Sequence, residues 1–114
     1  MTILYGIPNC DTMKKARAWL DARGAAYTFH DYKKAGVDRG VLERAVAVLG
    51  WERVLNRQGT TFRKLPEAER DGLDAARAIA LMAAHPSTIK RPLLVRDETI
   101  EAGFSAERYA AIFG

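Results

Sequence analysis

The first 32 residues constrain the fold more than any other stretch. Residues 2–5 are β-prone, and "YTFHDY" (27–32) alternates Tyr27, Phe29 and Asp31 against Thr28, His30 and Tyr32, so both read as strands. Between them Met13, Ala16, Trp19 and Leu20 recur at helical spacing over residues 10–22, and Gly24 follows as a stop signal. Two strands connected through a helix form a crossover, so they are expected to pair in parallel with a right-handed connection.

The rest of the chain completes a recognisable order. Asp38 reads as an N-cap for a helix with Leu42, Ala45, Val46 and Leu49 on one face, ended by Gly50. "WERVLN" (51–56) reads as a short helical turn, and "RQGTTFRKL" (57–65), polar and glycine-containing, as a loop. Pro66 opens a short segment. A further helix is expected from Leu73 to Ala84, with Ala76, Ile79, Ala80 and Met82 or Ala83 inward, stopped by Pro86. "PLLVRD" (92–97) reads as a strand, Asp97-Glu98 as a tight turn and "TIEA" (99–102) as the hairpin partner. Ser105 then caps a last helix through Tyr109, Ile112 and Phe113. The expected class is α/β: a thioredoxin-like fold with a four-stranded mixed sheet (β-α-β, then β-β-α) in one domain, 1–114, with a helical insertion at about residues 37–85.

Composition narrows the function classes. A chain of 114 residues that is 48% hydrophobic suits one packed domain rather than a disordered segment. No apolar run approaches the roughly 18–20 residues needed to cross a bilayer, and "MTILYG" lacks a secretory pattern, so no membrane association is expected. The net charge of +4 comes from interleaved signs without a dense basic block, so no nucleic acid is expected as a partner. His30 and His85 stand far apart without HxxxH or CxxC company, so no metal site is expected. The single cysteine cannot form an internal disulfide, which fits a reducing compartment, most simply the cytoplasm.

That cysteine, Cys10, falls in "IPNCDT" (7–12), on the turn between the first strand and the first helix. The turn should lie at the C-terminal edge of the parallel strands, where α/β sheets bind ligands. At a helix start the unpaired N–H groups carry partial positive charge and favour a thiolate, the reactive form of the side chain. The N–H groups of Asp11, Thr12 and Met13 are candidate donors, with Lys14 adding positive charge and Asp11 opposing it. The other option is a small cysteine buried for packing. Without a second cysteine, a redox cycle needs an external thiol such as glutathione or a partner protein.

Two further segments carry candidate residues. In "IKRPLLV" (89–95) Arg91 is held extended by Pro92, which suits a guanidinium aimed at Cys10 and at an anionic ligand group. In thioredoxin-like domains a cis-proline at this point faces the active thiol. "LNRQGTTFRKL" (55–65) offers Asn56, Arg57, Thr60, Thr61 and Arg63 on a polar, basic loop, either a cover for the thiol or a solvated surface.

"YGIPNCDTMKKA" (5–16), "VLNRQGTTFRKL" (54–65) and "HPSTIKRPLLV" (85–95), in this order, resemble the ArsC family of glutaredoxin-coupled arsenate reductases and their relatives. The wording is most similar to the YffB branch of small Spx/ArsC-related proteins. The resemblance implies a thioredoxin-like fold with a helical insertion and a glutathione-dependent thiol reductase without a tightly bound cofactor. Glutathione would be the co-substrate and glutaredoxin a possible partner. It assigns the catalytic cysteine to Cys10, the arginine before the cis-proline to Arg91 and the proline to Pro92. Asn9, Asp11, Thr12, Asn56, Arg57, Arg91 and Pro92 become the candidate substrate- or glutathione-binding residues. An alternative is arsenate reduction coupled to glutaredoxin. However, Asn56, Met13 and Gly103 stand where arsenate reductases place polar or cationic oxyanion ligands, so weak or absent turnover of arsenate is expected. An alternative of another class is an Spx-like regulator that binds RNA polymerase. Many such relatives carry a CxxC switch, which this chain lacks.

Overall fold

The structure, a computed structural model, describes residues 1–114. In chain order its elements are β1 (Thr2–Gly6), α1 (Asp11–Ala22), β2 (Thr28–Asp31), α2 (Tyr32–Ala35), α3 (Arg39–Leu49), α4 (Trp51–Val54), α5 (Thr60–Arg63), α6 (Glu67–Arg70), α7 (Ala75–Ala84), β3 (Leu93–Arg96), β4 (Thr99–Ala102) and α8 (Ala106–Phe113). A 3-10 turn, Pro86–Thr88, follows α7. The chain divides into a sheet unit, Met1–Ala35 with Arg91–Gly114, and a helical unit, Gly36–Lys90.

The sheet unit has the expected α/β architecture. Its four strands lie in the order β2-β1-β3-β4. β1 and β2 are parallel, while β1–β3 and β3–β4 are antiparallel, so the sheet is mixed. Leu4 of β1 and Leu94 of β3 are partners across the sheet. They pack with Met13, Ala16 and Leu20 of α1 and Tyr109 of α8 in one fully buried cluster. The 3.6-residue period of α1 therefore predicted its buried face correctly. Trp19, Phe104 and Phe113 surround Tyr109, with ring centroids 5.7, 4.8 and 6.2 Å from it. Glu101 of β4 is buried, and its carboxylate accepts from the Arg108 side chain and from the Ala102 N–H. A buried charge is tolerable when paired in this way.

The helical unit is built from short elements closed by local bonds. The Asp38 carboxylate accepts from the Gly40 N–H at 3.0 Å at the start of α3, as an N-cap should. Gly50 ends that helix at φ 89°, a conformation that costs a side-chain-bearing residue. Asp74 caps α7 by accepting from the Arg77 N–H at 2.8 Å. The Arg77 guanidinium donates to the carbonyls of Ala68, Asp71 and Gly72 and ties the end of α6 to α7. Leu55 bridges to Ile89, flanked by bonds from the Asn56 N–H to the Thr88 carbonyl and from the Lys90 N–H to the Val54 carbonyl, each 2.8 Å.

Three local expectations need correction. Tyr32 does not continue the second strand. It opens α2, because the Asp31 carboxylate accepts from the Lys33 N–H at 3.0 Å and turns the chain. "GTTFRK" is not a loop: Gly59 and Thr60 carbonyls accept from Arg63 and Lys64, closing the helical turn α5. Phe62 is buried beneath it, a burial that stabilises by about 1.5–3 kcal/mol. In α7 the inward face is Ala78, Leu81 and Met82, with Ile79 half-buried and Ala76, Ala80 and Ala83 exposed. The segment "AARAIALMAA" is almost wholly apolar, so no polar face sets its phase, and the bulkier Leu81 and Met82 decide which side is buried.

Candidate functional site

Pairing registers bring three distant segments to one edge of the sheet. Gly6 is paired with Asp31, so the turn after β1 and the residue after β2 emerge side by side. Tyr5 is paired with Leu93 in the antiparallel sense, so the residues before β3 arrive at the same edge. Cys10, Tyr32 and Arg91 occupy these three positions. Gly6 leaves room for the end of the buried Met13 side chain, whose sulfur a β-carbon here would displace.

Cys10 is the N-cap residue of α1, with extended backbone (φ −116°, ψ 133°) and a carbonyl that accepts from the Lys14 N–H at 3.0 Å. The sulfur sits in the field of the helix start. Burial pushes the thiol up, but the N–H groups of Met13 and Thr12 and the hydrogen-bonding, positively charged Arg91 outweigh it and hold it below its ordinary value.

The Arg91–Pro92 peptide bond is cis, and Pro92 is buried, with its carbonyl accepting from the Gly103 N–H at 2.9 Å. Gly103, at φ 80°, is thus a backbone support for the start of β3. Burial disfavours the Arg91 charge, but the Tyr32 phenol and the Cys10 sulfur more than compensate, and the guanidinium remains a cation. Tyr32 has no exposed surface. Burial pushes its phenol up to about 12, Arg91 lowers it in part, and the charges of Cys10 and Asp31 raise it.

Of the other candidate residues in the sheet unit, Asn9 and Asp11 are exposed on the turn and Thr12 is half-buried with its N–H toward the sulfur. Met13 lies in the core. Asn56 and Arg57 belong to the helical unit. There the Asn56 side-chain oxygen accepts from the Gln58 N–H at 3.1 Å, and the Arg57 guanidinium lies 5.3 Å from the centre of the Trp51 ring. With Glu52, Gln58 and Lys90 they line a cavity of about 140 Å³. Tyr32 was missed by the sequence reading. Its signal was an aromatic directly after Asp31, at the carboxyl end of a parallel strand, the place where such sheets bind ligands.

The fold is thioredoxin-like, with one thiol at a helix start and an arginine beside it. The ArsC family profile matches residues 5–112, and the chain belongs to that family. A solved structure named YFFB protein superposes with a TM-score of 0.95 at 57% identity, over 97% of each chain. An uncharacterized protein of Haemophilus influenzae is 38% identical over 113 residues, covering 99% of both chains. The global transcriptional regulator Spx of Streptococcus mutans is 26% identical, over 97% of this chain and 82% of the relative.

Proposed function

We propose that this protein is a glutathione-dependent thiol reductase of the YffB type, with Cys10 as its nucleophile. The observation that carries the reading is the Cys10 sulfur set between helix N–H groups and the Arg91 guanidinium, in a chain without a second cysteine. In the first step the Cys10 thiolate attacks the glutathione sulfur of a mixed disulfide. The Cys10–glutathione bond forms, the old bond breaks, and the released thiolate takes up a proton. A second glutathione thiolate then attacks the glutathione sulfur held on Cys10. Oxidised glutathione leaves and the Cys10 thiolate is restored, so one disulfide is reduced as two glutathione molecules are joined. Arg91 favours the thiolate in both steps. Asn9, Asp11, Thr12 and Pro92 flank the thiol and supply the contacts proposed for the tripeptide. Exposure to oxidised glutathione should give a single adduct, at Cys10, by mass spectrometry, and Cys10→Ala should abolish both the adduct and turnover. A wild-type thiol left unmodified under those conditions would remove the basis of the reading.

The arsenate alternative is less well supported, because Met13 is in the core and Gly103 serves the backbone. Coupled assays with glutaredoxin should show weak arsenate turnover or none. The likeness to Spx favours a second reading, a protein-binding regulator. Retention of RNA polymerase by the immobilised protein, with no glutathione adduct at Cys10, would select it.

A further inference from the structure

We infer that Tyr32 is a positioning residue, whose phenolic oxygen holds the Arg91 guanidinium against the Cys10 sulfur. The inference deepens the thiol-reductase reading and rests on it for its catalytic meaning. Arg91 makes side-chain hydrogen bonds to both Tyr32 and Cys10. A guanidinium presents five N–H donors in a rigid planar fork, so one group can serve a phenol and a sulfur together. Arginine also carries about 2 kcal/mol of rotamer entropy, and Arg91 is only half-buried. Left to the sulfur alone, its head would spend time in solvent.

Tyr32 is suited to anchor it. Its ring is fully buried, and its backbone is pinned at the start of α2 by the Asp31–Lys33 turn. Its phenol keeps its proton well above the range where the thiol titrates, so throughout that range it offers a neutral oxygen acceptor. The sulfur is met from the helix side by the N–H groups of Met13 and Thr12. The site thus has an ordered acceptor on one side, a bridging cation, and a thiol at the helix start on the other. The phenol acts on Cys10 through Arg91.

The test is Tyr32→Phe, read by thiolate absorbance against pH in wild type, Tyr32→Phe, Arg91→Ala and the double variant. Tyr32→Phe should lower the thiolate fraction at neutral pH roughly threefold to tenfold. In the Arg91→Ala background it should add almost nothing, since the residue it works through is gone. An unchanged Cys10 titration in a folded Tyr32→Phe protein makes the tyrosine a packing residue only and overturns the proposal. A full additive effect in the Arg91→Ala background means that the phenol acts without the arginine, and overturns it as well. If Tyr32→Phe does not fold, nitrogen NMR of Cys10→Ala decides. Separate, slowly exchanging guanidinium signals from Arg91 show that Tyr32 holds it without the sulfur, whereas averaged signals overturn the anchor. Glutathione adduct formation by wild type is measured alongside. A titration shift without an adduct keeps the anchor and sinks the reductase reading; an adduct with no shift does the reverse.

Discussion

In the sheet unit the decisive contacts join distant parts of the chain: Leu4 faces Leu94, and Arg91 meets Tyr32 and Cys10. In the helical unit the helix-end bonds are close in sequence, Asp38 to Gly40, Asp74 to Arg77 and Gly59 to Arg63, and the long-range pairing of Leu55 with Ile89 is backbone to backbone. Local bonds set helix ends cheaply but place few side chains together from afar. A sheet edge collects side chains from several segments, which is where Cys10, Tyr32 and Arg91 meet.

The largest effect on stability is expected where the two units treat glycine differently. Gly6→Ala must displace the Met13 sulfur, an overpacking that should cost about 1–3 kcal/mol. It should also move the first turn of α1 and change the Cys10 titration. Gly50→Ala meets no atom within 4 Å, but φ 89° with ψ 144° is backbone that essentially only glycine adopts, so it should cost about 1–3 kcal/mol through the backbone alone, with the thiol unaffected. Denaturant midpoints and thiol titrations of both variants check this. A shifted thiol in Gly50→Ala, or an unshifted one in Gly6→Ala, would dissolve the contrast.

The next effect is confined to the sheet unit and appears with pH. Tyr32 releases its proton near 10 when unfolded and at about 12 when folded, so the unfolded state binds fewer protons in between and stability falls as pH rises through that range. The slope from one such group is about 1.4 kcal/mol per pH unit at most. Cys10 has the opposite sign. Its lowered folded value contributes stability that is fully present above the unfolded thiol value and is lost as pH falls through the folded one. Stability curves should therefore flatten on the alkaline side in Tyr32→Phe and on the acid side of the thiol range in Cys10→Ala.

Arg91→Ala should slow alkylation of Cys10 near neutral pH about tenfold, equivalent to ~1.4 kcal/mol, by removing the adjacent charge. Arg91→Lys should recover part of the thiolate and, if the proposed reductase reading holds, less of the binding of glutathione, because an ammonium lacks the planar fork. Affinity and alkylation rate unchanged in Arg91→Ala would show that the guanidinium has no part in the site. The smallest effect belongs to the helical unit: Asp74→Ala removes a cap and should cost about 1 kcal/mol with the Cys10 titration intact. A shifted titration there would show that the helical unit tunes the thiol.

Legibility followed the same division. Asp38, Gly50 and Ser105 could be read as boundaries because caps are local chemistry, written in one or two residues. The Asp97-Glu98 turn was legible for the same reason, and Asp97 does take a positive φ of 55°. The helical turn α5 was not, because its reason is the burial of Phe62, which depends on residues outside the turn. The face of α7 was misread because an alanine-rich stretch has no polar side to mark its phase.

The sequence by itself determined the order of the strands and the longer helices, the place of Cys10 at a helix start and Arg91 before a proline. Each follows from periodicity, turn residues or covalent adjacency, all readable within a few positions. Only the tertiary structure decided that Tyr32 belongs with them. Strand register sets which residues share a sheet edge, and register is fixed jointly by both faces of the sheet, by the pairings of Gly6 with Asp31 and of Tyr5 with Leu93, and by no single segment alone.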